Sequence, residues 1–488
     1  MSSKEQKIQF FDHLAPSRKR WRQRNSYYYA KLGELLDFLV PPGKTVLEIG
    51  CGTGELLHEV APSSGIGIDF SANMLSIARQ QFPELQFRLD DAENLAERSI
   101  FDYVILSDLL GELDDVWQAF NELHKVTDGH SRVIITNYNY LWEPLLRLAE
   151  KLGLKRPQEY QNWLSPGDIE RLLNLNSYEV VTSGHYLLFP AYIPLISNLL
   201  NRYLCNLPLI RKLCLVHYIV ARENRGIAGN KTPGYTVSVI VPCRNEAGNI
   251  EETVNRIPEM GTGTEIIFVD GESTDGTIEK IKEMIRKYQG VKRIRIIHQT
   301  ETDAREATPP GRMLKLGKGD AVRKGFAAAT GEILMILDAD LTVPPEELSK
   351  FYHAIASGRG EFINGTRLVY QMERQAMRTL NLLANKLFSL AFTWLLGQPV
   401  KDTLCGTKVL FRRDYENILE QRQRFGELDP FGDFDLLFGA ASQHLKIVEV
   451  PVRYCRRSYG DVKIERFKHG FKLLKMSLVG LIKLKFMH

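Results

Sequence analysis

The chain has 488 residues, 44% of them hydrophobic and 25% charged, with a formal net charge of +4. That length holds two or three domains, each able to bury its own core, and so mild a charge gives no reason to expect a nucleic-acid partner. Six cysteines (Cys51, Cys205, Cys214, Cys243, Cys405, Cys455) form no CxxC pair and no zinc-type spacing, which argues against a zinc module and for a reducing, cytoplasmic compartment.

In chain order, Met1–Arg24 is charged throughout with no apolar core, so no signal peptide is expected. Residues 10–40 read as amphipathic helix, with Phe10, Phe11, Trp21 and Tyr27–Tyr29 among basic residues, and suit a cap packed on the next domain. Thr45–Gly54 is a short apolar strand that turns through Gly50, Gly52 and Gly54 into a helix. Glycine belongs where backbone must approach a ligand or take positive φ. Position 55 is Glu, so the dinucleotide fingerprint G-x-G-x-x-G fails. A second strand, Gly65–Ile68, ends in Asp69, where an acid can accept both hydroxyls of a ribose. Phe87–Glu93 places further acids after a third strand, and Phe101–Leu106 and Arg132–Thr136 read as a fourth and fifth.

The run E-I-G-C-G-T-G followed by I-D-F-S resembles a class I S-adenosylmethionine-dependent methyltransferase, with matching segments over about residues 44–222. The resemblance implies that Glu48, Gly50, Gly52 and Gly54 line the methionine part of the cofactor, that Asp69 holds its ribose, and that Asp91 and Ala92 hold its adenine. Methyl transfer needs alignment of the acceptor, plus a base if the acceptor is a hydroxyl. His124, His185 and Tyr138 are candidates, and the sequence singles out none of them.

Apolar stretches around Leu187–Leu200 and Leu380–Leu396 are broken by Pro190, Pro194, Asn385 and Lys386, so no transmembrane helix is expected. Arg222–Gly234 is polar and glycine-rich and reads as a linker. Beyond it, Val237–Cys243 is a strand expected to stop at Pro242, followed by Asn245, Glu246 and a helix from Ala247. The next strand, Ile266–Asp270, leads into a turn dense in small and acidic residues, Gly271–Thr277. Leu316–Gly325 carries Lys318 in a Gly-Lys-Gly that is not a P-loop, lacking the upstream glycine and the following Ser or Thr. Ile333–Leu337 is a continuous apolar run of the kind buried on both faces of a parallel sheet. It ends in Asp338 and Asp340, placed to share a Mg²⁺ or Mn²⁺ in the crevice at the strand's carboxyl end. A solvated turn would explain Asp-x-Asp alone; the ordered segments around it favour the metal.

Together these segments resemble a family 2 glycosyltransferase over about residues 235–460. The resemblance implies a nucleotide-sugar-binding α/β domain in which Pro242, Asn245, Glu246, Asp270, Lys318 and Asp338 contact the donor, and Asp338 and Asp340 hold the metal. The usual second acid after Asp270 is Gly271 here. Asn364–Arg367, Asp402–Gly406, Ile447–Val452 and Arg457–Lys463 look like the dolichyl-phosphate mannose synthase branch, which implies a polyprenyl phosphate acceptor and inversion at the anomeric carbon. An ionised phosphate needs only cations to hold it, and Arg367, Arg378, Arg457 and Lys463 are the candidates. A saccharide hydroxyl in a polysaccharide or glycolipid acceptor would instead need a base, for which Asp433 or Asp435 stands available. From Lys463 to Lys485 lysines interleave with apolar residues, a pattern that reads as an amphipathic helix lying on a membrane surface.

The expected architecture is therefore α/β, with two Rossmann-like three-layer domains: a methyltransferase domain (1–222), a linker (223–234), a GT-A-type glycosyltransferase domain (235–462) and a basic amphipathic helix (463–488). The expected cofactors are S-adenosylmethionine and Mg²⁺ or Mn²⁺. The expected place is the cytoplasmic face of a membrane, held peripherally. A nucleotide-binding scaffold without catalysis is the alternative of another class.

Overall fold

The structure, a computed structural model, describes residues 3–156, 158, 161–224, 234–299, 317–367, 379–425, 433–455, 457, 459 and 480–481. The chain divides between Arg225 and Gly226 into two compact units. Arg378, Lys463, most of the linker and nearly all of the expected tail helix lie outside the described residues, as does the side chain of Asp433.

The first unit is built on a seven-stranded sheet of β1 (Thr45–Ile49), β2 (Ser64–Asp69), β3 (Gln86–Leu89), β4 (Tyr103–Ser107), β5 (Arg132–Tyr138), β6 (Tyr178–Tyr186) and β7 (Val216–Glu223). Its order is β3-β2-β1-β4-β5-β7-β6. The first five strands run parallel and β7 enters antiparallel between β5 and β6. Connectivity runs outward both ways from the β1–β4 pair, which makes the carboxyl ends of those two strands the place where an open sheet forms a ligand crevice. Two helices precede the sheet, α1 (Ser3–Arg24) and α2 (Ser26–Leu39). Phe11, Leu14 and Ala15 of α1 pack on Met74 of the helix that follows β2.

The second unit repeats the logic with β8 (Thr236–Cys243), β9 (Gly263–Asp270), β10 (Arg293–His298), β11 (Ile333–Ile336), β12 (Phe362–Thr366), β13 (Lys408–Phe411) and β14 (Ile447–Pro451). The order is β10-β9-β8-β11-β13-β12-β14, with its switch point between β8 and β11. β11 is buried on both faces: Ile333 and Met335 join one core cluster, Leu334 and Ile336 the other. Its neighbours differ in direction, however, with β8 parallel and β13 antiparallel. The sheet is mixed rather than wholly parallel, because the chain returns through β13 without a crossover. Pro242 does not end its strand either. β8 runs one residue further, and Pro242 pairs in register with Val269. A proline lacks only the N–H, and the strand can carry it where that donor has no ladder partner.

Candidate active sites

In the first unit, Gly50, Gly52 and Gly54 all hold positive φ, at 75°, 55° and 83°. A Cβ on Gly50 would sit 2.7 Å from Leu109 Cδ1, and one on Gly54 would sit 2.7 Å from Phe87 Cζ. The loop is thus closed to side chains on two counts. Asp69, at the end of β2, accepts from the N–H of Gly52 at 2.8 Å and from that of Ser71 at 2.9 Å. These bonds tie the glycine turn to the acid, while burial raises the Asp69 carboxyl. A cleft opens here, lined by Gly50, Asp69, Asp91, Ala92 and Leu109 among others. Glu48 is buried on β1, where it accepts from the Leu57 N–H at 3.1 Å, and burial pushes its carboxyl up to about 8.

What the sequence reading passed over is the part played by α1. Lys4 pairs with Asp91, and Lys7 reaches Asp114 at 2.6 Å and the Glu112 carbonyl at 2.9 Å. Arg18 lies against Gly52, its Nη2 2.8 Å from where a Cβ would stand, and its buried Nε has no hydrogen-bond partner among the described residues. Basic residues on an amphipathic helix ordinarily mark a solvated face, so the sequence held no signal for this.

Asp108 was also missed. It follows β4 directly, at the switch point, with φ at 52°. Its Oδ2 accepts from the Tyr28 hydroxyl at 2.6 Å and its buried Oδ1 has no partner among the described residues. Burial pushes the carboxyl up to about 6. An acid after a buried strand beside the crevice was the available signal. Tyr138 belongs to this cluster, its ring 5.8 Å from that of Tyr28. His124 is elsewhere, stacked on Tyr178 with Nε2 at 2.8 Å from the Asn176 carbonyl. His185 lies beside His217, and burial lowers its pKa.

In the second unit, Asn245 and Glu246 join the loop after β8 to the turn after β9. The Asn245 N–H donates to Ser273 Oγ at 2.9 Å and its Oδ1 accepts from the Thr274 N–H at 2.8 Å. The Glu246 N–H donates to Thr277 Oγ1 at 2.9 Å. Asp270 is 1% exposed; its Oδ2 accepts from the Ser273 N–H at 3.2 Å, and its Oδ1 has no hydrogen-bond partner among the described residues. At Gly271 a Cβ would meet Gln299 Oε1 at 2.8 Å.

At the end of β11, each aspartate faces a cation from another segment. Asp338 pairs with Lys318 at 2.5 Å, and Asp340 pairs with Arg457. Burial alone would raise the Asp338 carboxyl, but Lys318, then Lys408 and Arg367, hold it below its ordinary value. Asp340 also closes its own turn, accepting from the Thr342 hydroxyl at 2.7 Å. Among the described residues no three His, Cys, Asp or Glu side chains gather as a metal site. The donor set is two hard carboxylates, which suits a Mg²⁺-type ion whose remaining ligands come from phosphate and water.

Arg367 stands apart from the expectation of an open phosphate ligand. Its Nε and Nη2 are engaged by Asp402 at 2.7 and 2.8 Å. Asp402 is in turn held by Glu449, whose Oε1 accepts from the N–H groups of Lys401 and Asp402, and by Asn364, which donates to the Asp402 carbonyl. The segments 364–367, 402–406 and 447–452 are therefore one cluster, and Arg457 belongs with Asp340. Asp435 lines a mostly apolar cleft with Gly319, Val322, Tyr415, Ile418 and Leu436.

Residues 41–184 match the family model described as methyltransferase domain, and residues 238–307 with 312–419 match glycosyl transferase family 2. The chain joins a methyltransferase domain to a family 2 glycosyltransferase domain. It is 30% identical over 251 residues to a dolichol-phosphate mannosyltransferase of Pyrococcus furiosus, covering 49% of this chain and 64% of that protein. It is 37% identical over 123 residues to a dolichol-phosphate mannosyltransferase of Saccharomyces cerevisiae, covering 24% of this chain and 40% of that one. The chain thus spans less than two thirds of the length of these relatives. A SAM-dependent methyltransferase from Thermotoga maritima superposes with a TM-score of 0.36 at 16% identity, over 44% of this chain and 99% of that one. In these terms the glycine loop, Asp69 and the cleft belong to the methyltransferase domain. Asp338, Asp340 and the Arg367–Asp402 cluster belong to the glycosyltransferase domain.

Proposed function

We propose that the glycosyltransferase domain moves a sugar from a nucleotide-sugar donor to a polyprenyl phosphate, and that the methyltransferase domain uses S-adenosylmethionine. The observation that carries the first part is the pairing of Asp338 with Lys318 and of Asp340 with Arg457 at the carboxyl end of β11. A diphosphate needs cations to neutralise the charge that develops as it leaves. Here two carboxylates and two bases stand at the switch point of one sheet. A divalent cation, when bound, would be held by Asp338 and Asp340 and would supply charge neutralisation to the leaving diphosphate. Lys318 and Arg457 turn their charge to phosphate oxygens when the carboxylates are otherwise engaged. Asp270, with Asn245 and Glu246 behind it, offers the buried acceptor oxygen that a nucleoside's N–H or hydroxyl would satisfy.

A phosphate acceptor is the reading favoured over a saccharide hydroxyl. A phosphate oxygen brings its own negative charge and needs no base, and Arg457 and Arg367 supply positive charge near Asp340 and Asp338. Asp435, the described alternative base, lines a mostly apolar cleft with Val322, Tyr415, Ile418 and Leu436. In the methyltransferase domain the cleft beside Gly50 and Asp69 fits a nucleoside, and the unpartnered Arg18 Nε fits a carboxylate such as that of a methionine moiety. The domains are proposed as 1–222 and 235–462, with the basic segment 463–488 adding a membrane contact on the cytoplasmic face. The deciding experiment offers labelled nucleotide sugars, a polyprenyl phosphate and a short oligosaccharide together, with and without EDTA. Product on the oligosaccharide alone overturns the lipid acceptor, and full activity in EDTA overturns the metal.

A further inference from the structure

The connection between β6 and β7 is long and outward-facing. Between Leu187 and Leu215 the chain carries Arg202, Arg211 and Lys212 and no acidic residue. Tyr192, Leu195, Leu199, Tyr203, Leu209 and Leu213 on it are exposed, Leu195 at 84% and Leu209 at 83%. Leu195 holds a positive φ of 65°, a conformation a leucine adopts rarely and at a cost. Side chains within the excursion nonetheless hold parts of its backbone. Asn201 accepts from the Phe189 N–H and donates to the Phe189 carbonyl, and Ser197 Oγ accepts from the Ile193 N–H while donating to the Ala191 carbonyl. The leucines are therefore presented on a folded frame.

A second apolar face adjoins the end of this excursion. In the helix Glu143–Lys151, Leu146 is buried, whereas Leu145, Leu148 and the capping Leu152, three and seven residues on, share one exposed face. The start of that helix is bonded to the excursion. Trp142 Nε1 donates to the Leu213 carbonyl at 2.8 Å, and Asn139 donates to the carbonyls of Lys212 at 2.9 Å and Cys214 at 2.8 Å.

We propose that the Leu187–Leu215 excursion, with the exposed face of the adjoining helix, is a lipid-binding surface that seats the first unit on an anionic bilayer. Exposed apolar side chains that recur along one connection and the helix bonded to it mark an interaction surface rather than scattered single residues. Leucines and tyrosines among cations, with no acid on the excursion, match the acyl boundary and the anionic headgroups together. Among the described residues no helix is long and apolar enough to cross a membrane. The inference does not depend on the sugar acceptor proposed for the second unit.

The test is flotation of the full chain with phosphatidylcholine vesicles, with and without phosphatidylglycerol, beside hydrogen exchange of residues 188–213. The unsubstituted chain should float with the anionic vesicles and show slowed exchange in that segment. In the combined Leu195→Glu, Leu199→Glu and Leu209→Glu variant the vesicle-induced slowing of exchange at residues 188–213 should be lost, whatever contact residues 463–488 retain, with an unchanged melting temperature. Should that variant misfold, the exchange of the unsubstituted chain decides. No flotation of the unsubstituted chain, unchanged exchange of residues 188–213 on vesicles, or slowing there that persists in the variant each overturns the proposal. So does a dimer that the same variant dissociates, which would assign the surface to a second copy.

Discussion

Arg367 and Asp402 meet as a fork: Nε lies 2.7 Å from one carboxylate oxygen and Nη2 2.8 Å from the other, with Asp402 fully buried. Burial alone would raise the Asp402 carboxyl, but the guanidinium and the surrounding N–H donors hold it below its ordinary value. A pair so buried is costly to break from one side, because the partner charge is left without compensation. Asp402→Ala should therefore destabilise the glycosyltransferase domain by about 3–5 kcal/mol, measured by denaturant unfolding. Because the folded pKa is depressed, the pair's contribution is complete above the ordinary aspartate value of about 3.9 and is lost as pH falls below it. The parent and the variant should converge in stability only in strong acid.

Asp340→Ala removes the carboxylate that faces Arg457. Sugar transfer should fall by orders of magnitude and lose its response to divalent cations, since loss of electrostatic support at a leaving group costs on the order of 10²–10³ in rate. Titration calorimetry with S-adenosylmethionine should be unchanged. Retained, metal-responsive transfer would remove Asp340 from the site.

Arg18→Met keeps the length of the side chain on α1 and deletes the charge. A charge-assisted hydrogen bond contributes about 1.5–3 kcal/mol, so the affinity for S-adenosylmethionine should drop by roughly 10- to 100-fold. The melting temperature without ligand should hold or rise, because the variant no longer buries a donor without an acceptor. Equal affinities in parent and variant would exclude Arg18 from the cofactor site.

Glu48 makes a prediction in proton uptake. Between the ordinary glutamate value of about 4.3 and about 8, the folded domain binds a proton that the unfolded chain has lost. Stability accordingly falls as pH rises through that window. Glu48→Gln should flatten the decline and melt above the parent at pH values near 8. A cationic ligand entering beside Glu48 favours its ionised form, so S-adenosylmethionine binding near pH 7 should release protons. Calorimetry in buffers of different ionisation enthalpy reads this directly, and a heat independent of buffer would count against it.

Much of this molecule was legible in one dimension. Period, glycine spacing and the placing of acids at strand ends suffice to mark β1, β2, β8, β9 and β11, because a buried parallel strand ending in a functional loop leaves a local signature. The glycines after β1 and the acids Asp69, Asp270, Asp338 and Asp340 stand out by the same local rules, whereas the roles of Asn245, Glu246 and Lys318 come from the family resemblance alone. The antiparallel returns β7 and β13 did not show, since short apolar runs carry no mark of their direction.

The charges were decided only in three dimensions. Nothing near Arg367 in the chain announces that Asp402 will engage its guanidinium, and nothing near Asp340 announces Arg457, 117 positions away. The same holds for Arg18 against Gly52 and for the leucines left outside on the β6–β7 connection. Hydrophobic periodicity is a property of neighbours along the backbone and survives in the sequence. The partner of a charge, and the side of an apolar residue that meets water, are set by which distant segments the packed sheet brings together.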